Sequence, residues 1–124
     1  MEQLILHLFG DYILQTNWMA TEKVKKSFAA FAHALVYSLP FLLLQPSLVA
    51  FMVILWTHFF IDRYRLARYV VFAKNWITEP HLKWEDCSAT GYPKEIPPWL
   101  SVWLLIIADN SIHLLCNFLA LKYL

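Results

Sequence analysis

The chain has 124 residues, a length typical of one domain. Its hydrophobic fraction of 60% is above the roughly 45–50% of soluble domains, and its charged fraction of 15% is below their usual value of about 25%. This composition indicates a membrane protein. A net charge of +1 leaves no basic surface once the apolar segments are set aside, so a nucleic-acid partner is not expected.

Four apolar segments follow one another along the chain, and each is predicted to be a transmembrane helix. They cover about residues 4–20, 28–44, 47–72 and 99–123. A span needs about 20 apolar residues, so the first two are near the short limit and the last two have length for tilt. The predicted fold class is all-α: a four-transmembrane-helix antiparallel bundle forming a single membrane domain, residues 1–124. The first segment lacks the features of a cleavable signal peptide and is expected to be mature structure.

Basic residues mark the predicted orientation of these helices. Most lysines and arginines lie in or beside two connections, at about residues 21–27 and 74–98. Cytoplasmic loops carry an excess of Lys and Arg, so both connections are predicted to be cytoplasmic and the chain to be a multi-pass protein of a cytoplasmic membrane. The expected partner is the lipid bilayer. Cys87 and Cys116 lie in different contexts and are expected to be free thiols.

A four-residue spacing between histidine and aspartate recurs on the apolar segments. The pairs are His7 with Asp11, His58 with Asp62 and, in reversed order, Asp109 with His113. This spacing places both side chains on one helix face, and ionisable groups inside a membrane are costly and usually functional. Reversal on an antiparallel helix predicts an aspartate layer and a histidine layer about 6 Å apart, with His33 of the second segment within reach.

Imidazole and carboxylate together favour a divalent metal such as zinc, manganese or iron. Helical pairs from several helices also supply the ligands of metal sites in bundles. The predicted metal ligands are His7, Asp11, His33, His58, Asp62, Asp109 and His113. This set is large enough for two ions, which can activate water and clamp a phosphoryl group. In the alternative interpretation the pairs form a proton relay or a structural network and hydrogen-bond only to each other.

The leading hypothesis for function is a metal-dependent hydrolase that acts on a phosphate ester, either a lipid or a nucleotide derivative. Asp11, Asp62 and Asp109 are its predicted catalytic residues. Arg63 is the predicted substrate-binding residue, because guanidinium groups bind phosphate bidentately; a snorkelling arginine is the alternative. A second hypothesis is an ion- or proton-coupled transport module, which would need a homo-oligomer because a pore through four short helices is cramped. A third is a non-enzymatic membrane protein of phage or defence origin with a structural His/Asp network.

Residues 6–20, Lys26-Ser27, residues 33–37 and residues 58–64 together resemble a family of small uncharacterised membrane proteins of bacteria and their phages. The resemblance covers most of the chain and implies a helical protein of the bacterial inner membrane. It supports the choice of His7, Asp11, His33, His58 and Asp62 and supplies no reaction. More distantly, the residue types and spacing are similar to those of membrane-bound metal-dependent hydrolases.

Overall fold

The computed structural model describes all 124 residues and contains helices and no β-strand. The predicted all-α class is therefore confirmed. The helices are α1 (Glu2–Leu8), which continues as a π-helical turn (Phe9–Ile13), α2 (Asn17–Glu22), α3 (Ser27–Ser38), which continues as a 3-10 helix (Leu39–Leu44), α4 (Leu48–Tyr64), α5 (Leu66–Thr78), α6 (Trp84–Cys87) and α7 (Pro98–Tyr123).

Two helices, and not the predicted four, are long and apolar enough to cross a membrane. One is the continuous run Ser27–Leu44, formed by α3 and its 3-10 extension, and the other is α7. The predicted bundle of four transmembrane helices is corrected to two candidate spans, because the first and third apolar segments are each divided into two shorter helices.

The first apolar segment breaks at Thr16. This residue has an extended backbone, with ψ of 162°, and its side chain accepts a hydrogen bond from the Met19 amide at 3.3 Å. A threonine that accepts in this way caps the N-terminus of a helix. Residues 4–20 therefore contain the end of one helix, the π-helical turn and the start of α2.

The third apolar segment breaks at Arg65. Its φ of 52° and ψ of 49° are left-handed, so the helical hydrogen-bond ladder of α4 ends there and α5 begins. The 17 residues of α4 span roughly 26 Å, somewhat less than the hydrocarbon core of a typical bilayer. The predicted helix over residues 47–72 is thus two helices.

The chain forms two compact units, Met1–Tyr64 with His113–Leu124, and Arg65–Ile112. In the first unit, Tyr37 of α3 and Phe41 of its 3-10 extension pack with Ala50 and Ile54 of α4 and with Ala120 of α7. A second group contains Ala30, Ala34 and Phe59. Small residues allow close approach of helix backbones, and α3 carries several of them at the buried surface. This packing positions the polar residues described below.

The second unit is organised around α5. Gly91 has a φ of 84°, and a Cβ at this position would collide with the carbonyl oxygen of Arg68. Arg68 donates a hydrogen bond to the Ser88 carbonyl at 3.0 Å, and Asn75 donates to the Gly91 carbonyl at 3.0 Å. The segment around residues 88–91 is therefore held against α5 by backbone carbonyls.

Candidate metal centre

Six predicted ligands lie together, buried inside the first unit. We call them the His/Asp cluster: His7, Asp11, His33, His58, Asp62 and His113. The cluster draws on α1 and its π-helical turn, on α3, on α4 and on the C-terminal half of α7. The most exposed of the six residues has 7% of its surface accessible. Because isolated buried charges are costly, such a group requires compensating partners.

Four of these residues form the centre of the cluster. Asp11, His33, His58 and Asp62 each offer one ligand atom, and these atoms all lie within 4.8 Å of one another. Nε2 of His33 lies 3.1 Å from Asp11 Oδ1, 3.2 Å from Asp62 Oδ2 and 3.0 Å from His58 Nε2. Ligands bound to one divalent ion at ordinary distances are roughly 2.8–3.6 Å apart. The separations around His33 therefore fit a metal centre.

Asp11 reaches this centre from the π-helical turn. Such single turns are rare inside α-helices and are frequent at functional sites. The neighbouring Gly10 allows the turn to approach α3 closely, because a Cβ there would lie 2.9 Å from both Cδ2 and the carbonyl oxygen of Tyr37. The turn and the glycine together bring the Asp11 carboxylate to His33.

The two outer histidines contact the centre through its carboxylates. Nε2 of His113 lies 3.1 Å from Asp62 Oδ1, within hydrogen-bond distance, and Nε2 of His7 lies 3.9 Å from Asp11 Oδ2. Nε2 of His58 lies 3.3 Å from Asp62 Oδ2. Imidazoles and carboxylates are therefore mixed, and the two separate layers predicted from helical rise are not observed. The prediction assumed that residues one helical turn apart place their polar atoms at different depths, but a histidine side chain is long enough to reach across one turn.

Tyr37 belongs to the site although it was not among the predicted residues. Its hydroxyl lies 2.8 Å from His7 Nδ1 and accepts a hydrogen bond from the Asn117 amide at 2.7 Å. Its ring stacks on His58. The signal in the sequence was its position four residues after His33, which places both on one face of α3.

The Nδ1 atoms of His33 and His58 have no hydrogen-bond partner. A metal-ligating histidine usually donates its second N–H to a neighbouring acceptor, so these two rings depart from that pattern. Their Nε2 atoms nevertheless point into the centre. For His58, stacking against Tyr37 replaces a hydrogen bond as the contact that fixes the ring.

Lys23 brings a positive charge to the cluster. Its ammonium donates to Asp62 Oδ2 at 2.6 Å and lies 3.3 Å from His33 Nε2, and its side chain is 18% exposed. In the sequence analysis, Lys23 served only as one of the basic residues that predict a cytoplasmic loop. If the imidazoles are neutral, two carboxylates and one ammonium leave one negative charge uncompensated, which a cation or a proton must balance.

The other charged residues of this loop form ion pairs with each other. Glu22 forms ion pairs with Lys26 at 2.7 Å and with Lys25 at 3.9 Å. The hydrogen bond from the Lys26 ammonium lowers the pKa of the Glu22 carboxyl below its ordinary value. Lys23 is thus the lysine of this loop that enters the cluster.

Arg63 holds the loop that carries Lys23. Its guanidinium donates to the carbonyls of Val24 at 2.7 Å and Lys25 at 3.3 Å, and to the hydroxyl of Ser27 at 3.3 Å. These bonds attach residues 24–27 to the end of α4. Phosphate binding by Arg63 stays a prediction, and the contacts described here are internal.

Asp109 lies in the second unit, on α7 one turn before His113, and is partly buried. The two residues share one continuous helix, as their spacing predicted. Its predicted roles as a ligand and as a catalytic residue stay predictions.

The first two thirds of the chain match a known protein family. A family model described as "Protein of unknown function (DUF3307)" matches residues 1–84. The chain belongs to this family. The matched part contains α1 to α5, with five of the six cluster residues together with Lys23 and Tyr37, whereas His113 lies beyond it. No curated protein and no solved structure matches the chain. Membership of an uncharacterised family, expected from the sequence, is confirmed, and similarity to metal-dependent hydrolases stays a prediction.

Proposed function

We propose that this protein is a membrane-embedded hydrolase that uses a divalent metal ion at the His/Asp cluster to cleave a phosphate ester. One observation carries the proposal: two imidazoles and two carboxylates from three separate helical elements place their ligand atoms within 4.8 Å of one another in a buried site. An apolar core does not need buried imidazoles and carboxylates to pack. Burying the carboxylates costs free energy unless a cation compensates their charge.

The donor set indicates which ions suit the site. Two nitrogen and two oxygen donors favour zinc, manganese or iron(II) over calcium and magnesium, which prefer oxygen alone. Asp11 and His33 would bind from one side, and His58 and Asp62, one turn apart on α4, from the other. His113 would orient the Asp62 carboxylate through its hydrogen bond, as outer-shell partners of metal ligands do.

Hydrolysis is the chemistry that such a site supports best. A bound ion lowers the pKa of a coordinated water molecule and polarises a phosphoryl oxygen. Asp11 would bind the ion through one carboxylate oxygen and accept the proton from water on the other, and it is the candidate because its closest contacts are with imidazoles. Lysines 23, 25 and 26 and Arg63 give the neighbouring loop a positive charge, which favours an anionic substrate.

The proposed location is the bacterial inner membrane, with the loops at residues 21–27 and 74–98 in the cytoplasm. Two helices with the length and apolar character of spans support membrane association. The basic residues of the two loops support the orientation through the positive-inside rule. A lipid phosphate ester would reach a site at this depth from the bilayer, and a nucleotide derivative would reach it from the cytoplasm.

Metal content and hydrolysis can be measured together on the detergent-purified chain. After chelation and reloading with zinc or manganese, bound metal is counted, and p-nitrophenyl phosphate and vesicles containing phosphatidic acid are offered as substrates. We expect stoichiometric metal and metal-dependent release of product. Asp62→Asn and His33→Gln should lose both, because each removes a ligand atom with little change in volume.

The chain provides matched controls for these variants. His81 is a loop histidine whose side chain is 76% exposed, and Asp86 is an aspartate of α6 whose side chain is 58% exposed. His81→Gln and Asp86→Asn should retain metal and activity. Absence of stoichiometric metal in the parent protein, with hydrolysis unaffected by chelators, would refute the proposal.

Proton-coupled transport is the second candidate, and a chain of neighbouring titratable groups favours it. The chain runs from the Tyr37 hydroxyl through His7, Asp11 and His33 to Asp62. Its contacts of 2.8, 3.1 and 3.2 Å are within hydrogen-bond distance, and His7 and Asp11 are 3.9 Å apart, an ion-pair distance. Such a chain of titratable groups can relay protons across a membrane interior. In proteoliposomes this function predicts a proton flux that needs no metal and disappears in Asp62→Asn.

A further inference from the structure

Lys23 contacts the same atoms that a metal ion would bind. Its Nζ lies 2.6 Å from Asp62 Oδ2 and 3.3 Å from His33 Nε2. Asp62 Oδ2 also lies 3.2 Å from the Nε2 atom of His33 and 3.3 Å from that of His58. The ammonium therefore occupies the cationic position next to two of the four central ligand atoms.

An ammonium and a divalent ion cannot share this position. An ammonium has donors and no lone pair, so it cannot be a ligand while it remains charged. Two like charges a few ångströms apart repel strongly where water is excluded. A metal ion bound to Asp62 Oδ2 and His33 Nε2 would thus compete directly with the Lys23 side chain.

The surroundings of Lys23 permit its side chain to leave without unfolding the loop. Arg63 holds the backbone of Val24 and Lys25 through two carbonyls, so the attachment of the loop to α4 does not depend on the ammonium. The side chain is partly exposed, and its four-carbon stem is flexible. Rotation about these bonds can carry the charge from the cluster towards solvent.

We infer that Lys23 is a built-in counter-cation, which compensates one of the two carboxylate charges of the His/Asp cluster in the metal-free protein and is displaced when a metal ion binds. The inference rests on the proposed metal site and adds a way in which metal binding at that site is regulated. Because the metal ion must replace the Lys23 ammonium, the metal affinity is set by the difference between the interaction of the cluster with the ion and its interaction with the ammonium. The released ammonium stays beside the site, where it can bind an anionic group of the substrate.

Metal affinity tests the competition directly. Binding of Mn²⁺ to the purified full chain is titrated by electron paramagnetic resonance for the parent protein, for Lys23→Met and for Lys25→Met as the matched control. Removing the competing charge-assisted bond should tighten Mn²⁺ binding by about tenfold or more in Lys23→Met. Lys25, which is exposed and lies near Glu22, should have no effect.

Amine labelling of the unmutated chain tests the displacement and does not depend on whether the variant folds. Lys23, Lys25 and Lys26 are compared by mass spectrometry after brief reductive methylation with and without Mn²⁺. Lys23 should be protected in the metal-free protein and become reactive with Mn²⁺, while the two neighbouring lysines react equally in both states.

Thermal stability distinguishes a displaced cation from an ordinary ion pair. Lys23→Met should be less stable than the parent protein without metal and should gain more stability from Mn²⁺. If the pair of Lys23 and Asp62 stayed in place when metal binds, Lys23→Met would lower stability equally with and without Mn²⁺. Equal Mn²⁺ affinity in the two proteins, or Lys23 protected with Mn²⁺ bound, would overturn this inference alone. Failure of both proteins to bind Mn²⁺ would overturn the metal centre and this inference together.

Discussion

The ring of Tyr37 stacks on the ring of His58, with centroids 3.6 Å apart and an interplanar angle of 16°. Both residues are buried, and they come from α3 and α4. The same tyrosine also contacts His7 and Asn117 through its hydroxyl. Tyr37 therefore connects the apolar core of the first unit to the polar cluster, and its two functions can be separated by mutation.

Tyr37→Phe keeps the stacked ring and removes the hydroxyl. His7 Nδ1 and the Asn117 amide would each lose a buried hydrogen bond, and an unsatisfied buried polar group costs about 1–3 kcal/mol. We expect the free energy of unfolding to fall by roughly that amount, while Mn²⁺ affinity stays within a few fold because the ring still orients His58. Denaturant unfolding in detergent and the Mn²⁺ titration measure the two quantities.

Tyr37→Leu, which removes the ring as well, provides the comparison. It should weaken Mn²⁺ binding by about 10–100-fold, the range found when a group that orients a metal ligand is removed. If Tyr37→Phe and Tyr37→Leu bind Mn²⁺ equally well, then stacking does not hold His58 in position and the orienting role of Tyr37 is wrong.

Gly10→Ala tests the close approach of the π-helical turn to α3. The new methyl group would lie 2.9 Å from the Tyr37 carbonyl oxygen, so the backbone of the turn must shift. We expect a destabilisation of roughly 1–3 kcal/mol, as for overpacking of a core, together with weaker Mn²⁺ binding because Asp11 is the next residue. Helix propensity alone predicts the opposite sign, a gain of up to about 1 kcal/mol. A stabilised Gly10→Ala protein would therefore contradict the observed packing.

Part of this structure could be predicted from the sequence, because local spacing and polarity contain the information. The pair His58 and Asp62 lies on one helix face, and its burial follows from apolar neighbours. The high apolar content predicted helices, and the rarity of ionisable residues within them singled out the cluster. His33 was included because its depth in the second segment placed it within reach of the aspartates.

Other features depend on tertiary contacts that spacing does not contain. Lys23 was interpreted as a loop charge because its reach to Asp62, 39 residues away, is decided by the packing of α3 against α4. Tyr37 shares a helix face with His33, but that spacing alone does not separate it from a core aromatic residue. The end of α4 at Arg65 has no glycine or proline to mark it, and arginine in the left-handed region is uncommon.

The left-handed conformation of Arg65 gives a direct test of the corrected helix boundary. Arg65→Gly and Arg65→Ala both lose the hydrogen bond from the guanidinium to the Ala89 carbonyl, so they differ only in backbone preference. With φ at 52°, glycine should be more stable than alanine by about 1 kcal/mol. If residues 47–72 were one continuous helix, alanine would be the more stable of the two by a similar amount. Denaturant unfolding of the two variants decides between a broken and a continuous helix.

Arg63→Lys separates the two roles considered for this residue, because it keeps the charge and loses the forked geometry. If Arg63 mainly holds the loop, the loss of bonds to the Val24 and Lys25 carbonyls should lower the free energy of unfolding by about 1–3 kcal/mol. Ser27→Ala should then show coupling with Arg63→Lys in a double-mutant cycle, since their side chains share a hydrogen bond. If Arg63 binds substrate phosphate, stability should change little and KM for p-nitrophenyl phosphate should rise. We expect the first pattern, because the three bonds described here already engage the guanidinium, and a rise in KM without loss of stability would show that phosphate displaces them.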